Sequence, residues 1–565
     1  MSNSRFALLI AAWLSIATLG FPAAFLAMHG LDPDGWPPGE ARDLAQWFSA
    51  PGETPVYQVS GVLVRTAGTY LSMALRRSAA FADGGVAELL MLAGSALLLN
   101  IVIVGGAKTE LRHPRSKRFG NARFAESREL SRMRSGLELG ADPATGRPVR
   151  VEVEGNLLTI APPRRGKTTG LVLPNLTFVD HSAWAGPVVV IDPKGDAYQA
   201  AKRRRLAMGR TVRCIDPLQL VGGKDRWNPL SRRPPSDVLR LQAMARALLP
   251  SVDRPGEAGA FFHDRAVVVI VAAMLAAIRA GRARLTIVAA LVNEYERLLG
   301  AMRDRQDAIY RDARSILTGN ERTRSDILAT ASQAFSWLSD PLMQHAVGDN
   351  TFDLTDLCHG ETDLFIVLPA DDRKEILAPY VRLLLSALFT AVRERRVAER
   401  IVVYVDEAFI LGQFDTMLNA VGELPGYGVS LWTFWQSENQ LIKTYGDDGA
   451  AILRDTAEVV QLFNLVRANP DECRRWSEAL GTYTGVDETE TKDASAGRTT
   501  KSQGAAPIPL VQPAEMAAAT RLRSIVFLNN PRYTTDPLWL NKTRADQDAR
   551  FAGLLDPRPP IGPTG

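Results

Sequence analysis

One ten-residue stretch constrains this chain more than any other: Ala161-Pro-Pro-Arg-Arg-Gly-Lys-Thr-Thr-Gly170. It follows the apolar run Leu157-Leu158-Thr159-Ile160 and leads into a helical segment that Pro174 is expected to end or kink. Strand, glycine-bearing loop and helix, in that order, form a cradle for phosphate. Gly166 lets the backbone curl so that successive N–H groups face an anion, and the helix N-terminus adds a favourable field. In such a loop Lys167 reaches the β- and γ-phosphates of ATP and the Thr168 hydroxyl faces Mg2+. The expected nucleotide-binding loop comprises Ala161, Pro162, Pro163, Arg164, Arg165, Gly166, Lys167, Thr168 and Thr169. Ala161 stands where the pattern usually has its first glycine, and the two prolines carry no N–H. The cradle must therefore rely on Arg165 through Thr169.

From about residue 150 apolar strands alternate with helices, which predicts a parallel α/β sheet covered on both faces. Ile401-Val-Val-Tyr-Val405 is a β-branched run ending in Asp406-Glu407. A carboxylate at the end of a strand neighbouring the phosphate loop suits Asp406 to hold the metal's water shell. Glu407 is placed to polarise an attacking water as general base. Val429-Ser-Leu-Trp-Thr-Phe-Trp435 is a further buried strand, and Gln436 at its end is a candidate γ-phosphate sensor. An Asp-Glu pair alone often caps a helix; beside a phosphate loop the catalytic reading is favoured. The expected catalytic set is Glu407, Asp406 and Gln436, with Thr168 and Asp406 (through water) on the metal.

Composition excludes several classes. Hydrophobic residues make up 46% and charged residues 23%, which rules out a disordered or collagen-like chain. Sixty-six basic residues face 62 acidic ones, for a net charge of +4, so any DNA contact has to be local. Lys202-Arg-Arg-Arg205 and the stretch from Arg393 to Arg400 are the candidates. Cys214, Cys358 and Cys473 stand far apart, which excludes a disulfide framework or a cysteine-rich zinc module.

The first hundred residues read differently. Phe6 to Met28 is uncharged and long enough to span a bilayer, and Leu89 to Gly106 is uncharged over 18 residues. The stretch between the two runs carries more acid than base. Lys108, Arg112, Arg115, Lys117, Arg118 and Arg123 follow the second run. Basic residues stay on the cytoplasmic side, so both termini are expected in the cytoplasm of a multi-pass membrane protein. The expected division is an anchor over 1–107, with transmembrane helices near 6–28 and 87–106 and a periplasmic loop over 29–85. Two parts of a nucleotide-binding domain (108–232 and 351–550) flank an all-α domain (233–350), and a disordered tail closes the chain (551–565). The apolar helix Ala266–Ile278 and the helix-period spacing over Leu285–Arg303 support the all-α assignment. Asp487 to Ser502 is polar and threonine-rich without apolar periodicity, and is expected to be a mobile insert.

These motifs, in this order, resemble the coupling proteins of type IV secretion systems, the TraG/TraD-type family. Phe119-Gly-Asn-Ala-Arg-Phe-Ala125, Asp192-Pro-Lys-Gly-Asp196, Trp227-Asn-Pro-Leu230, Gly426-Tyr-Gly428 with Gln436-Ser437, and Ser524-Ile-Val-Phe-Leu528 carry the resemblance over about residues 6 to 550. It implies a bacterial inner-membrane ATPase with a RecA-like P-loop domain, a homo-hexamer, that hands relaxase-bound single-stranded DNA or effector proteins to the channel components. Family members often carry a basic residue where this chain has Pro425. Any arginine finger has to come from elsewhere, with Arg164, Arg165, Arg454, Arg474 and Arg475 as candidates. Two other readings stand beside this one. The first is a nucleotide-binding receptor that barely hydrolyses. The second is a chromosome-segregation-type pump, which predicts a winged-helix tail beyond Leu528.

Overall fold

In a computed structural model, residues 119–251, 258–369, 371–493, 498–530 and 532–557 are described. The expected transmembrane helices (6–28 and 87–106) and periplasmic loop (29–85) lie outside them. Nine strands form the main sheet: β3 (Asn156–Ile160), β4 (Val188–Ile191), β5 (Thr211–Ile215), β6 (Thr362–Ile366), β7 (Ile401–Val405), β8 (Val429–Trp435), β9 (Ala457–Leu462), β12 (Ser524–Leu528) and β13 (Leu538–Leu540). Their order is β13-β12-β9-β3-β8-β7-β4-β6-β5. The run from β9 to β5 is parallel, and β12 and β13 close one edge antiparallel. β1 (Leu137–Ala141) and β2 (Pro148–Val151) pair separately as a hairpin.

Parallel strands must bury both faces, and the sequence meets that need with unbroken apolar runs rather than alternation. Val189 and Ile191 join one core while Val188 and Val190 join the other, as a two-residue side-chain period requires. On the first face sit α10 (Lys374–Glu394), α12 (Glu438–Asp455) and a helical insert between β5 and β6. The insert comprises α3 (Val238–Leu248), α4 (Ala258–Arg279), α5 (Leu285–Asn293), α6 (Tyr295–Met302), α7 (Ala308–Leu317), α8 (Glu321–Gln333) and α9 (Pro341–Ala346). By length and composition alone, Gly259–Arg279 and Lys374–Glu394 would cross a membrane. Both are mostly buried inside the protein, so their apolarity serves the core. The second face carries α1 (Leu173–Thr177) and α2 (Asp196–Ala207).

Four expectations need correction. β7 does not neighbour the phosphate-loop strand, because β8 lies between β3 and β7. The helix after the loop neither ends at Pro174 nor starts as a regular α-helix. It opens with a π-helical turn, Thr168–Val172, and continues as an α-helix through Pro174 to Thr177. Within the stretch expected to be a mobile insert, residues 487–493 and 498–502 are paired strand: they form the outer part of β10 (Thr482–Asp493) and β11 (Arg498–Pro509), in unbroken register from Thr482↔Pro509 to Asp493↔Arg498. Backbone pairing satisfies each strand internally, so no apolar period is needed, and threonine favours the extended conformation. Finally, residues 551–557 are not a loose tail: Phe551 is buried and the Asp556 N–H donates to the Ala200 carbonyl at 2.9 Å. One well-placed aromatic anchors a segment too short to show a pattern.

Candidate functional site

Four strands of the parallel set, β4, β5, β7 and β8, are each followed directly by a polar residue, Asp192, Asp216, Asp406 and Gln436, at the carboxyl edge of the sheet. After β3, Ala161 still pairs with β8, its N–H donating to the Trp435 carbonyl at 2.8 Å. The loop then turns through Arg164, which takes a left-handed φ of 58°, and Gly166, whose φ of 84° favours glycine. Gly170 donates to the Gly166 carbonyl at 2.7 Å and fixes the entry into the π-turn. Such a turn is a wider coil than an α-helix and recurs at functional sites.

Lys167 and Thr168 face the end of β7. The Lys167 ammonium donates to the Asp406 carbonyl at 3.3 Å and stands 3.8 Å from Glu407 Oε2. The Thr168 hydroxyl lies 3.1 Å from Asp406 Oδ2. From β8, Gln436 Nε2 donates to Glu407 Oε2 at 2.8 Å. The intervening strand is what permits this contact: β8 brings Gln436 to Glu407, while the helix after β3 carries Lys167 and Thr168 across to β7. Asp406 Oδ1 and Glu407 Oε1 are buried and have no hydrogen-bond partner among the described residues. Burial raises the Asp406 carboxyl above the ordinary carboxylate range, against the opposing pull of Lys167, Thr168 and Lys194.

A cavity of about 790 Å³ opens around these groups and is lined by Pro163 through Thr169, Asp406, Glu407 and Gln436. Its size suits a nucleotide-sized ligand. Ala161 and Pro162 do not line it, since both are still leaving the strand. Three further groups of residues do. Asp192, Pro193, Lys194 and Asp196 follow β4. Asp192 is buried and accepts the N–H groups of Ala197 and Tyr198 at 2.8 and 3.0 Å, which caps α2. Burial pushes its carboxyl up to about 7, helped by Asp406 and Asp196 and opposed by the backbone hydrogen bonds. An apolar strand ending in aspartate is the signal for this residue, the same signal that marks Asp406. Phe463 and Asn464 follow β9, and Arg521 ends α14 (Met516–Leu522).

The last group, Lys542, Thr543, Arg544 and Asp546, belongs to a strap that crosses the helix after the phosphate loop. Ala545 N–H donates to the Thr169 carbonyl at 2.9 Å. A Cβ on Gly170 would come within 3.0 Å of the Thr543 carbonyl, so the strap needs glycine there. Glu138 anchors it, accepting from Thr543 at 2.9 Å and from both Arg550 amino groups at 2.9 Å. Lys542 satisfies the end carbonyls of α14, Thr520 and Arg521, and burial draws its ammonium down to about 8. No pattern in the sequence marks the strap, which is short and polar.

The other candidates are engaged elsewhere. Arg205 is fully buried against Asp363, Arg204 donates to the Thr177 and Phe178 carbonyls, and Arg203 pairs with Asp556. Three members of that basic run thus hold the fold together. Arg393 pairs with Glu423, while Arg395 and Arg396 stay exposed. Arg454 and Arg475 both pair with the buried Glu438, and Arg474 with Asp471. Among the five arginine candidates, only Arg164 and Arg165 line the cavity.

Comparison with known proteins places this geometry. Residues 145–547 match the model of a family described as Type IV secretory system Conjugative DNA transfer. The chain is 26% identical to Protein VirD4 of Rhizobium radiobacter over 344 residues, covering 58% of this chain and 48% of the relative. It is 25% identical to the Conjugal transfer protein TraG of Escherichia coli over 376 residues, covering 57% and 58%. The match therefore spans about half the length of those relatives. In fold it is similar to the plasmid coupling protein TrwB in complex with ADP and Mg2+, with a TM-score of 0.56, 18% identity, 77% of this chain and 97% of the other. The bacterial conjugative coupling protein TrwBdeltaN70, in complex with sulphate, gives 0.58 at 18% identity over the same share. The sheet is a RecA-like NTPase fold.

Proposed function

The chain belongs to the Type IV secretory system Conjugative DNA transfer family, and on that premise we propose that it is an inner-membrane ATPase that passes substrates to a secretion channel. The observation that carries this reading is the meeting of Lys167, Thr168, Asp406, Glu407 and Gln436 at one sheet edge. The proposed substrates are relaxase-bound single-stranded DNA or effector proteins, and the proposed assembly is a membrane-anchored homo-hexamer. Apolar runs over 6–28 and 89–106, followed by basic residues from Lys108, support the anchor. The all-α domain (233–350) between the two parts of the nucleotide-binding domain (108–232 and 351–550) is the proposed substrate-facing element.

The donor set fits ATP with magnesium. Asp406 Oδ1 is a buried carboxylate oxygen without a hydrogen-bond partner among the described residues, while Oδ2 of the same carboxyl accepts from the Thr168 hydroxyl at 3.1 Å. No cluster of three or more His, Cys, Asp or Glu among the described residues is placed to hold a metal alone. Magnesium rarely asks for one and shares phosphates and water instead. Thr168 and, through water, Asp406 would hold the ion. When bound, it supplies charge neutralisation on the phosphate oxygens. Lys167 adds a fixed positive charge beside the transferred group. Gln436 holds Glu407 Oε2, which leaves Oε1 to accept a proton from the attacking water. The N–H groups of the loop, from Arg165 onward, orient the β-phosphate.

ATP turnover in the presence of single-stranded DNA tests the proposal on the native chain, Lys167→Ala and Glu407→Gln. Turnover is expected in the native protein and a fall of roughly 100-fold or more in each variant, with Glu407→Gln still binding nucleotide. Equal rates in all three would overturn the motor and leave a nucleotide-binding receptor.

A further inference from the structure

Arg382 lies inside α10 with 3% of its surface exposed, and no carboxylate perturbs it among the described residues. Burial draws the guanidinium down to about 10, so it stays cationic at neutral pH. Three carbonyls satisfy it instead. Nε donates to Ala247 at 3.0 Å, Nη2 to Leu248 at 3.3 Å and Nη1 to Leu411 at 3.0 Å. Ala247 and Leu248 end α3, where carbonyls have no N–H of their own helix to accept and the helix field is negative. Leu411 ends the 3₁₀ turn Ala408–Leu411, which starts directly after Glu407. Within that turn the Ile410 N–H returns to the Glu407 carbonyl at 3.1 Å.

A second contact runs alongside. Beyond α3, the Ser251 N–H donates to the Gln413 carbonyl at 3.4 Å and its hydroxyl accepts from the Asp415 N–H at 3.0 Å. The first helix of the insert is thus tied twice to the segment that carries the acidic pair. A buried charge without a counter-charge is costly, and an apolar side chain would fill the same helix face more cheaply. Packing alone does not account for arginine at this position. A guanidinium offers planar, fixed donors that reach several carbonyls at once, which a lysine ammonium cannot match in geometry.

We propose that Arg382 is a positioning residue that couples the end of α3 to Glu407, so that movement of the insert reorients the proposed general base. The inference rests on the ATPase reading given above, and deepens it by naming the route between the substrate-facing helices and the nucleotide. Displacement of the α3 carbonyls pulls on Leu411, and the 3₁₀ turn carries the shift back to Glu407 and its contact with Gln436. A misplacement of about 1 Å at a catalytic group can cost roughly 100-fold in rate.

The test uses the full chain with Arg382→Lys, Arg382→Met and Ser251→Ala, and reads amide hydrogen exchange over 408–415, ATP turnover and nucleotide binding. Arg382→Lys is expected to speed exchange over 408–415 by roughly tenfold or more. Its kcat should fall on the order of 10- to 100-fold while KM and nucleotide affinity stay within about threefold. Ser251→Ala should move both readouts the same way by less. Should Arg382→Met fail to fold, the lysine and Ser251 variants decide. A folded Arg382→Lys protein with native exchange and native turnover overturns the proposal. If the native chain does not hydrolyse ATP, the ATPase reading falls, and exchange over 408–415 then decides the tether alone: faster exchange supports it and unchanged exchange overturns it.

Discussion

Replacing Arg205 by methionine separates two roles for a run of four consecutive basic residues, Lys202 to Arg205. In the native protein Arg205 Nε and Nη2 donate to the two Asp363 oxygens at 2.7 Å, and Nη2 also donates to the Gly186 carbonyl at 2.7 Å. Both side chains are 0% exposed. Methionine fills much of the volume but leaves Asp363 with the Val188 N–H at 3.1 Å as the remaining donor to its side chain among the described residues. A buried carboxylate deprived of its partner costs about 3–5 kcal/mol, a large part of the ordinary 5–15 kcal/mol of a folded domain. The melting temperature of the detergent-solubilised chain should fall by about 3–5 °C. Arg205→Met with Asp363→Leu should recover most of the loss, since apolar replacement of both partners is often neutral or stabilising. Lys202→Ala, on the exposed side of the same helix, should stay within about 0.5 kcal/mol of native. The reasoning is refuted if Arg205→Met melts like the native chain and instead weakens binding to single-stranded DNA.

Three further outcomes follow from the geometry. Gln436→Ala removes the 2.8 Å hydrogen bond to Glu407; kcat for ATP should drop roughly 10- to 100-fold while nucleotide affinity, read by fluorescence, changes little. Phe551→Ala removes the buried anchor of the strap at about 3–5 kcal/mol, and nucleotide should protect this variant from thermal unfolding less than it protects the native chain. Burial holds the Glu472 carboxyl up to about 7, against about 4.3 in an unfolded chain. Its stabilising contribution is therefore complete below about pH 4.3 and lost as pH rises through 7. Urea midpoints should favour Glu472→Gln over native by a wider margin at pH 7.5 than at pH 5, and an equal margin at both would contradict the burial argument.

How far the sequence reaches depends on how local the determinant is. The phosphate loop was legible because Leu157 to Thr169 carries strand, turn and helix signals side by side. Asp406, Glu407 and Gln436 could be singled out because each ends an apolar run. Which strands adjoin was not legible, since strand order is decided by pairings between residues hundreds of positions apart: Leu158 pairs with Thr433 and with Val460. The same limit hid the strap, where Thr543 acquires meaning only from Glu138, 405 positions away. Lys202 to Arg205 shows the converse error. A charge run looks like a surface in one dimension, and only the packing of α2 on β6 reveals that its last member is interior. The pairing of β10 with β11 is not legible because backbone pairing needs no side-chain period.

The position of β3 in the sheet bears on how the protein is made. Both of its neighbours, β8 and β9, lie more than 250 positions downstream in the chain. A ribosome releases Lys167 long before Trp435, so through most of synthesis the phosphate loop hangs from a strand with no partner on either side. The helical insert has mainly short-range contacts and can form early, whereas the sheet has to wait for long-range closures. Nucleotide can then find its cradle only after β8 and β9 have been made, and fragments released before β8 would carry an apolar strand with two open edges, a template for aggregation.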